Sequence, residues 1–218
     1  MARFIRPMEL EDVPQASDIE REAFPPPWPA TNFRHALMFN SSTTYLVACD
    51  ELTENDRSVL EHAPVNCCVQ SSGSGFGWLR SGLTRLFKGD TAVVAPRQLI
   101  LGFASVWFVL DEAHISNIAV LESRRRQGIG EQLLISIIKI AIERNACYIN
   151  LEVRASNKIA QALYTKYDFD EVGTRYGYYS DNKEDAVLMT ANNIYSSSFQ
   201  DNLQRLMNVY TRRWGIIV

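Results

Sequence analysis

The fold is decided by Arg125-Arg126-Gln127-Gly128-Ile129-Gly130 read together with residues 151–169, LEVRASNKIAQALYTKYDF. The first stretch is a glycine-rich loop opening into an apolar helix. The second is a strand carrying a carboxylate, Glu152, followed by a helix carrying an amide, Asn157, and a phenol, Tyr164. A helix N-terminus offers unpaired backbone N–H groups and a partial positive charge, so a strand, a glycine turn and a helix together form an anion site. Gly128 and Gly130 let the backbone approach a phosphate without Cβ clashes. Only one Gly-x-Gly pair is present and no GxxxxGK[ST] exists, which argues against a dinucleotide fingerprint and against a P-loop NTPase. Taken alone, the loop reads equally well as an ordinary helix cap with exposed arginines.

Working outward, Phe4–Arg6 reads as a short strand and Glu9–Ala23 as a helix ended by Pro25-Pro26-Pro27. A second helix is expected from Thr31, as N-cap, to Phe39. The β-branched run Thr43–Cys49 reads as a strand. Residues 51–97 hold SSGSGFG and scattered prolines without a steady period, and we read them as an insertion. Leu99–Leu110 and His114–Val120 are strands, with Asp111-Glu112 as the turn between them. Gly130–Asn145 is a helix whose Leu133, Leu134, Ile137, Ile138 and Ala141 share one face. Tyr148–Arg154 is a strand, and Ser156 is expected to cap a helix ending near Tyr167. Phe169–Tyr178 and Asp185–Thr190 form a last antiparallel pair. Phe199, Leu203, Leu206, Met207 and Tyr210 then mark a helical stripe, docked on the domain or on a second subunit. The order predicts an α/β (α+β) mixed sheet with helices on its faces. Residues 1–191 are the domain and residues 192–218 a helical extension.

Composition narrows the function. A chain of 218 residues that is 46% hydrophobic can bury a full core. A net charge of −3 gives no global basic field for nucleic acid. Cys49, Cys67, Cys68 and Cys147 show no metal spacing, so no metal is expected and reduced thiols in a cytoplasmic protein are the default. The start, MARFIRPMELEDV, lacks the apolar stretch of a signal peptide, and no window is long enough for a membrane span. Within the insertion, residues 78–88, WLRSGLTRLFK, form a short basic amphipathic stretch that could meet a membrane surface or a partner. A flap packed on its own domain or a disordered loop is the favoured reading.

Glu152 lies in an apolar strand, where a carboxylate needs a partner or a purpose. Arg154, two residues along on the same face, is the partner expected by spacing. Asn157 and Tyr164 are seven residues apart, on one helix face at a separation of about 10 Å, which suits an extended ligand. Taken alone, Tyr164 reads as a core tyrosine rather than a catalytic one, because buried tyrosines are common.

The strings Ile118-Ala119-Val120, RRRQGIG, LEVRASNKIAQALY and RYGYY…EDAVLM resemble the GNAT N-acetyltransferases, and most closely the ribosomal-protein-alanine N-acetyltransferases among them. FIRPMELEDV and AFPPPW fit the same family, and the resemblance covers residues 3–50 and 99–191. It implies the acyl-CoA N-acyltransferase fold, with the insertion and C-terminal helix added, and acetyl-CoA as cosubstrate. Ile118, Ala119 and Val120 would hold the pantetheine arm through their backbone. Arg126, Gln127, Gly128, Ile129, Gly130 and Glu131 would cradle the pyrophosphate, with Arg125 at the loop's first position. Asn157 would contact the pantetheine chain. Glu152 would be the general base, Tyr164 the general acid, and Tyr178 and Tyr179 would flank the peptide substrate. The implied reaction is acetyl transfer to the free N-terminus of a protein, the N-terminal alanine of a ribosomal protein. Lysine or small-amine acetylation, or a CoA-binding module without catalysis, are the rival readings. Two departures from the family pattern stand out. Asp168 replaces a glycine where left-handed φ is common, and the 175–186 loop is shorter than in some relatives.

Overall fold

The computed structural model describes residues 3–24, 30–51 and 98–215. The expectations for residues 25–29, for residues 52–97 and for the amphipathic stretch at 78–88 lie outside them.

Seven strands form one sheet: β1 (Phe4–Pro7), β2 (Thr43–Glu51), β3 (Gln98–Val109), β4 (Glu112–Val120), β5 (Tyr148–Arg154), β6 (Asp170–Arg175) and β7 (Ala186–Ala191). The order across the sheet is β1-β2-β3-β4-β5-β7-β6. Every neighbouring pair is antiparallel except β4 and β5. A parallel pair requires a crossover, and α3 (Ile129–Glu143) supplies it. The helices α1 (Val13–Ala23) and α2 (Ala30–Phe39) precede β2, α4 (Lys158–Lys166) follows β5, and α5 (Ser197–Trp214) follows β7.

Strand alternation divides the core in two. Leu46 and Ala48 face a cluster with α3, α4 and α5, while Tyr45, Val47 and Cys49 face a second cluster with α1 and α2. All five residues predicted for the inner face of α3 are fully buried. The apolar stripe of α5 enters the same cluster through Phe199, Leu203, Leu206 and Tyr210, so this helix docks on the domain. Along β5, Ile149, Leu151 and Val153 are buried, which leaves Tyr148, Asn150, Glu152 and Arg154 on the opposite face.

Several details differ from the sequence reading: β6 ends at Arg175, short of the expected Tyr178. The β3–β4 turn is Leu110-Asp111, with Leu110 at φ 53° and almost fully exposed, and Glu112 already belongs to β4. The first helix opens with a 3-10 turn, Leu10–Asp12, because Asp12 Oδ2 accepts from the Glu9 amide at 2.8 Å. α2 starts one residue ahead of Thr31. The cap of α4 is Asn157, whose Oδ1 accepts from the Ala160 amide at 3.1 Å; the Ser156 amide is instead spent on Glu184 Oε1 at 2.7 Å. Asp168 does sit at φ 61°, the left-handed conformation expected for that position.

Candidate active site

The site opens where the one parallel pair comes apart. Pairing of β4 with β5 runs from Glu112↔Tyr148 to Ile115↔Leu151 and stops. Beyond it, β4 stays with β3 while β5 continues along β7, from Glu152↔Leu188 to Arg154↔Ala186. The separation begins at a β-bulge: Val106 pairs with Ile115 and Ser105 with Asn117, so Ser116 is the extra residue. A bulge bends its strand and reverses which face the following side chains meet. Ala113 and Ile115 accordingly face the α3 cluster, whereas Ala119 faces the α1–α2 cluster. Among the described residues, the edge of Ile118–Val120 turned towards β5 has no strand partner, and backbone polar groups require a partner. A ligand with amide groups along its length meets that requirement.

The phosphate loop lies at the end of β4. After a 3-10 turn at Glu122–Arg124, Arg126 and Gly128 take φ values of 62° and 78°, and α3 begins at Ile129. Left-handed residues alternating with ordinary ones turn successive N–H groups to one side and make an anion nest. Among the described residues, none of the amides from Arg126 to Glu131 finds a protein acceptor. The loop is braced from behind by Arg3, whose Nη1 donates to the Gln127 carbonyl at 2.7 Å. Arg125 is half exposed, with Nε 3.3 Å from the Val120 carbonyl, and Arg126 is exposed. Glu131 offers only its backbone to a phosphate. Its carboxylate is held by Lys166 and by the Tyr167 hydroxyl, the latter at 2.7 Å, and it ties α3 to α4. These donors fit a pyrophosphate.

Glu152 lies on β5, one residue past the end of its pairing with β4. Its side chain is 9% exposed and fully partnered: Oε2 lies 2.9 Å from His114 Nε2 and Oε1 lies 3.0 Å from Arg175 Nη1. The hydrogen bond from His114 is the main cause that holds its pKa below the ordinary carboxylate value; burial opposes, and the charges of His114 and Arg175 assist. The expected partner, Arg154, points elsewhere. It binds Asp181 Oδ2 at 2.9 Å and Glu184 Oε2 at 3.2 Å, and lies 3.9 Å over the Tyr179 ring. Sequence spacing missed His114 and Arg175, which lie on other strands. The signal available was parity: His114 and Asn150 are cross-strand neighbours, so His114 shares a sheet face with Glu152. Behind His114, Asn150 Nδ2 donates to Glu112 Oε1 at 2.7 Å and Thr190 Oγ1 donates to Asn150 Oδ1 at 2.6 Å. Glu112, His114, Glu152, Arg175 and Thr190 line a cavity of about 180 Å³.

The expected pairing of Asn157 with Tyr164 on one helix face does not form. Asn157 is the exposed cap outside the helix, while Tyr164 is buried with its ring 5.8 Å from Phe169. Burial, with Tyr179 as a second cause, pushes the Tyr164 phenol up to about 12. Tyr178 and Tyr179 lie in the β6–β7 connection, ring to ring at 5.2 Å, with Tyr178 half exposed. Arg154 and Glu184 pin that connection to the end of β5. On the α2 side of the same sheet face, a cavity of about 500 Å³ reaches Ser116 and Asn117 at the bulge. Among the described residues no group of three His, Cys, Asp or Glu side chains converges to hold a metal.

Residues 75–169 match the model of the Acetyltransferase (GNAT) family. A Bacillus subtilis (strain 168) protein, whose name as a ribosomal protein bS18-alanine N-acetyltransferase is itself provisional, is 30% identical over 185 residues, covering 85% of this chain and 92% of the relative. The ribosomal protein bS18-alanine N-acetyltransferase of Escherichia coli (strain K12) is 45% identical over 89 residues, 40% of this chain and 60% of that protein. Among solved structures, the ribosomal-protein-S18-alanine N-acetyltransferase from Escherichia coli superposes with a TM-score of 0.59 at 28% identity, over 88% of this chain and 94% of the other. Arabidopsis thaliana NAA60 in complex with acetyl-CoA shares the fold, with a TM-score of 0.61 at 17% identity over 87% and 97% of the two chains.

Proposed function

The chain belongs to the GNAT acetyltransferase family and is an acetyl-CoA-dependent N-acetyltransferase; on that premise we propose that its acceptor is the N-terminal α-amine of a protein, specifically the N-terminal alanine of a ribosomal protein. The observation that carries this reading is Glu152, a nearly buried carboxylate held ionised where β4 and β5 separate. A carboxylate whose pKa is lowered is a modest base, which agrees with an acceptor that gives up its proton readily. Removing a proton at pH 7 costs about 1.4 kcal/mol from an N-terminal amine of pKa ~8, against ~4.6 kcal/mol from a lysine of pKa ~10.4. The printed names of the Bacillus and Escherichia relatives agree with that choice.

Each residue then has one task. The backbone edge of Ile118, Ala119 and Val120 that lacks a strand partner receives the pantetheine amides. The N–H groups of Arg126, Gln127, Gly128, Ile129, Gly130 and Glu131 hold the pyrophosphate, and Arg125 adds positive charge beside them. Asn157 keeps its Oδ1 for the helix cap and turns its Nδ2 donors to the pantetheine chain. Acetyl-CoA supplies the acetyl group as an activated thioester. Glu152 takes the amine proton, directly or through one water, with His114 fixing the carboxylate in place. Tyr164 donates a hydrogen bond to the departing sulfur. Complete transfer from a phenol near 12 to a thiolate of pKa ~8.5 costs about 5 kcal/mol, so the phenol stabilises charge while it develops rather than giving up its proton first. Tyr178 and Tyr179 flank the entering peptide.

No helix among the described residues is long and apolar enough to cross a membrane, and we place the reaction in the cytoplasm, where ribosomal proteins are made. The test is incubation with acetyl-CoA and a mixture of ribosomal proteins, followed by N-terminal peptide mapping. An acetyl group on an N-terminal alanine is expected. Acetylation confined to lysine side chains overturns the reading.

A further inference from the structure

The C-terminal helix ends on the phosphate loop. α5 runs antiparallel to α3: Tyr195 Oη donates to the Ile142 carbonyl at 2.9 Å at one end, and Tyr210 Oη donates to Gln132 Oε1 at 3.2 Å near the other. The buried stripe of the helix is complete at Tyr210, yet the helix continues for one more turn. That turn delivers Trp214 to Gly128. A Cβ on Gly128 would lie 2.8 Å from Trp214 Nε1 and 2.9 Å from Cδ1, so the indole fills the space on that side of the loop. Arg213 stacks on the same indole, its guanidinium carbon 4.9 Å from the ring centroid, and remains exposed.

The charge arrangement is unusual for the mouth of an anion site. A helix C-terminus carries a partial negative charge, which alone would repel a phosphate. Arg212 and Arg213 in the last turn of α5 reverse that sign. Beyond its pyrophosphate, coenzyme A carries one more phosphate, on the 3′ position of the adenosine ribose. Arg213 is the guanidinium that the Trp214 contact places beside the loop.

We propose that the end of α5 is part of the coenzyme site: Trp214 braces the phosphate loop at Gly128, and Arg213 pairs with the 3′-phosphate of the coenzyme. This proposal rests on the acetyl-CoA reading above and assigns the C-terminal helix a part in it. Calorimetric titration of the full chain with coenzyme A and with 3′-dephospho-coenzyme A tests it. The wild-type chain should bind coenzyme A about tenfold more tightly than the dephospho compound, the scale of one charge-assisted contact. Arg213→Gln should abolish that preference while leaving the affinity for the dephospho compound unchanged. Trp214→Ala should weaken both compounds alike, and Trp214→Phe should restore most of the loss, with circular dichroism and melting confirming that each variant is folded. Equal affinity of the wild type for the two compounds, or a preference that survives Arg213→Gln, overturns this proposal alone. Binding of neither compound overturns the coenzyme reading and this proposal with it.

Discussion

Gly128, in the loop after β4, and Glu152, on β5 just past its pairing with β4, are proposed to work by opposite means. On the Gly128 side the groups proposed to bind are backbone amides, and what matters is conformation: two left-handed residues and a helix start. The side chains there are either exposed, as with Arg126, or engaged elsewhere, as with Glu131. On the Glu152 side the backbone is an ordinary strand paired to β7, and what matters is charge: a carboxylate between His114 and Arg175. The first side can hold a ligand of fixed shape, and the second can move a proton. Substitutions should therefore separate into two kinds, those that change coenzyme affinity and those that change turnover.

The largest effect should come from the charged side. Glu152→Gln keeps the size of the side chain and removes its basicity, so kcat should fall about 10²–10⁴-fold, the usual range for a lost general base. The KM for acetyl-CoA should stay within a factor of two or three. Steady-state kinetics with acetyl-CoA varied would blur the division between the two sides if both constants moved together. Gly128→Ala is the counterpart on the other side. A side chain at φ 78° costs about 1–2 kcal/mol, and this one would also meet the Trp214 indole at 2.8 Å. We expect roughly tenfold weaker acetyl-CoA binding with kcat nearly unchanged at saturation, read from the same kinetics.

His114→Ala sharpens the charged side further. The hydrogen bond from His114 is the main cause of the lowered Glu152 pKa, so its removal should raise that pKa towards the ordinary carboxylate value. The acid limb of the kcat/KM profile should move to higher pH, and kcat should fall by about tenfold. An unmoved acid limb would show that Glu152 is not the group that titrates there. The smallest effect concerns stability at the rim. Hydrogen bonds from the Ser156 side chain and then its amide, followed by Asn182 and Arg154, hold the Glu184 carboxyl down at about 2 against a smaller opposing effect of burial. A carboxyl held low in the folded state stabilises it above the unfolded value, near 4.5, and that contribution is lost as pH falls towards 2. Glu184→Gln should therefore melt slightly below wild type at pH 7, and the two melting curves should converge by about pH 2.

The same contrast explains how much could be read in advance. The glycine loop and the helix start after it were legible because they are local: a Gly-x-Gly pair, the strand before it and the apolar helix after it occupy one continuous stretch. β5 was legible to its ends because Ile149, Leu151 and Val153 alternate with polar residues. The environment of Glu152 was not, since its partners come from β4 and from β6, and the insertion of β7 between β5 and β6 is a tertiary outcome. Arg154 was the natural local choice, but Asp181 and Glu184 in the β6–β7 connection compete for it and win. The bulge at Ser116, which opens the cleft, carries no local signature in the stretch His114–Val120. At the cap of α4 the sequence pointed to Ser156, but the side-chain oxygen that accepts from the Ala160 amide belongs to Asn157, one residue on. The contact of Trp214 with Gly128 joins residues from distant parts of the chain, so no periodicity could announce it.

The central claim is that the acceptor is an α-amine. One peptide with a free N-terminal alanine and an internal lysine, and the same peptide with its N-terminus blocked, should be incubated with the protein and acetyl-CoA and followed by mass spectrometry. The account predicts a single acetyl group on the first peptide, at its N-terminus, and none on the second. Acetylation of the blocked peptide on its lysine at a comparable rate would contradict it.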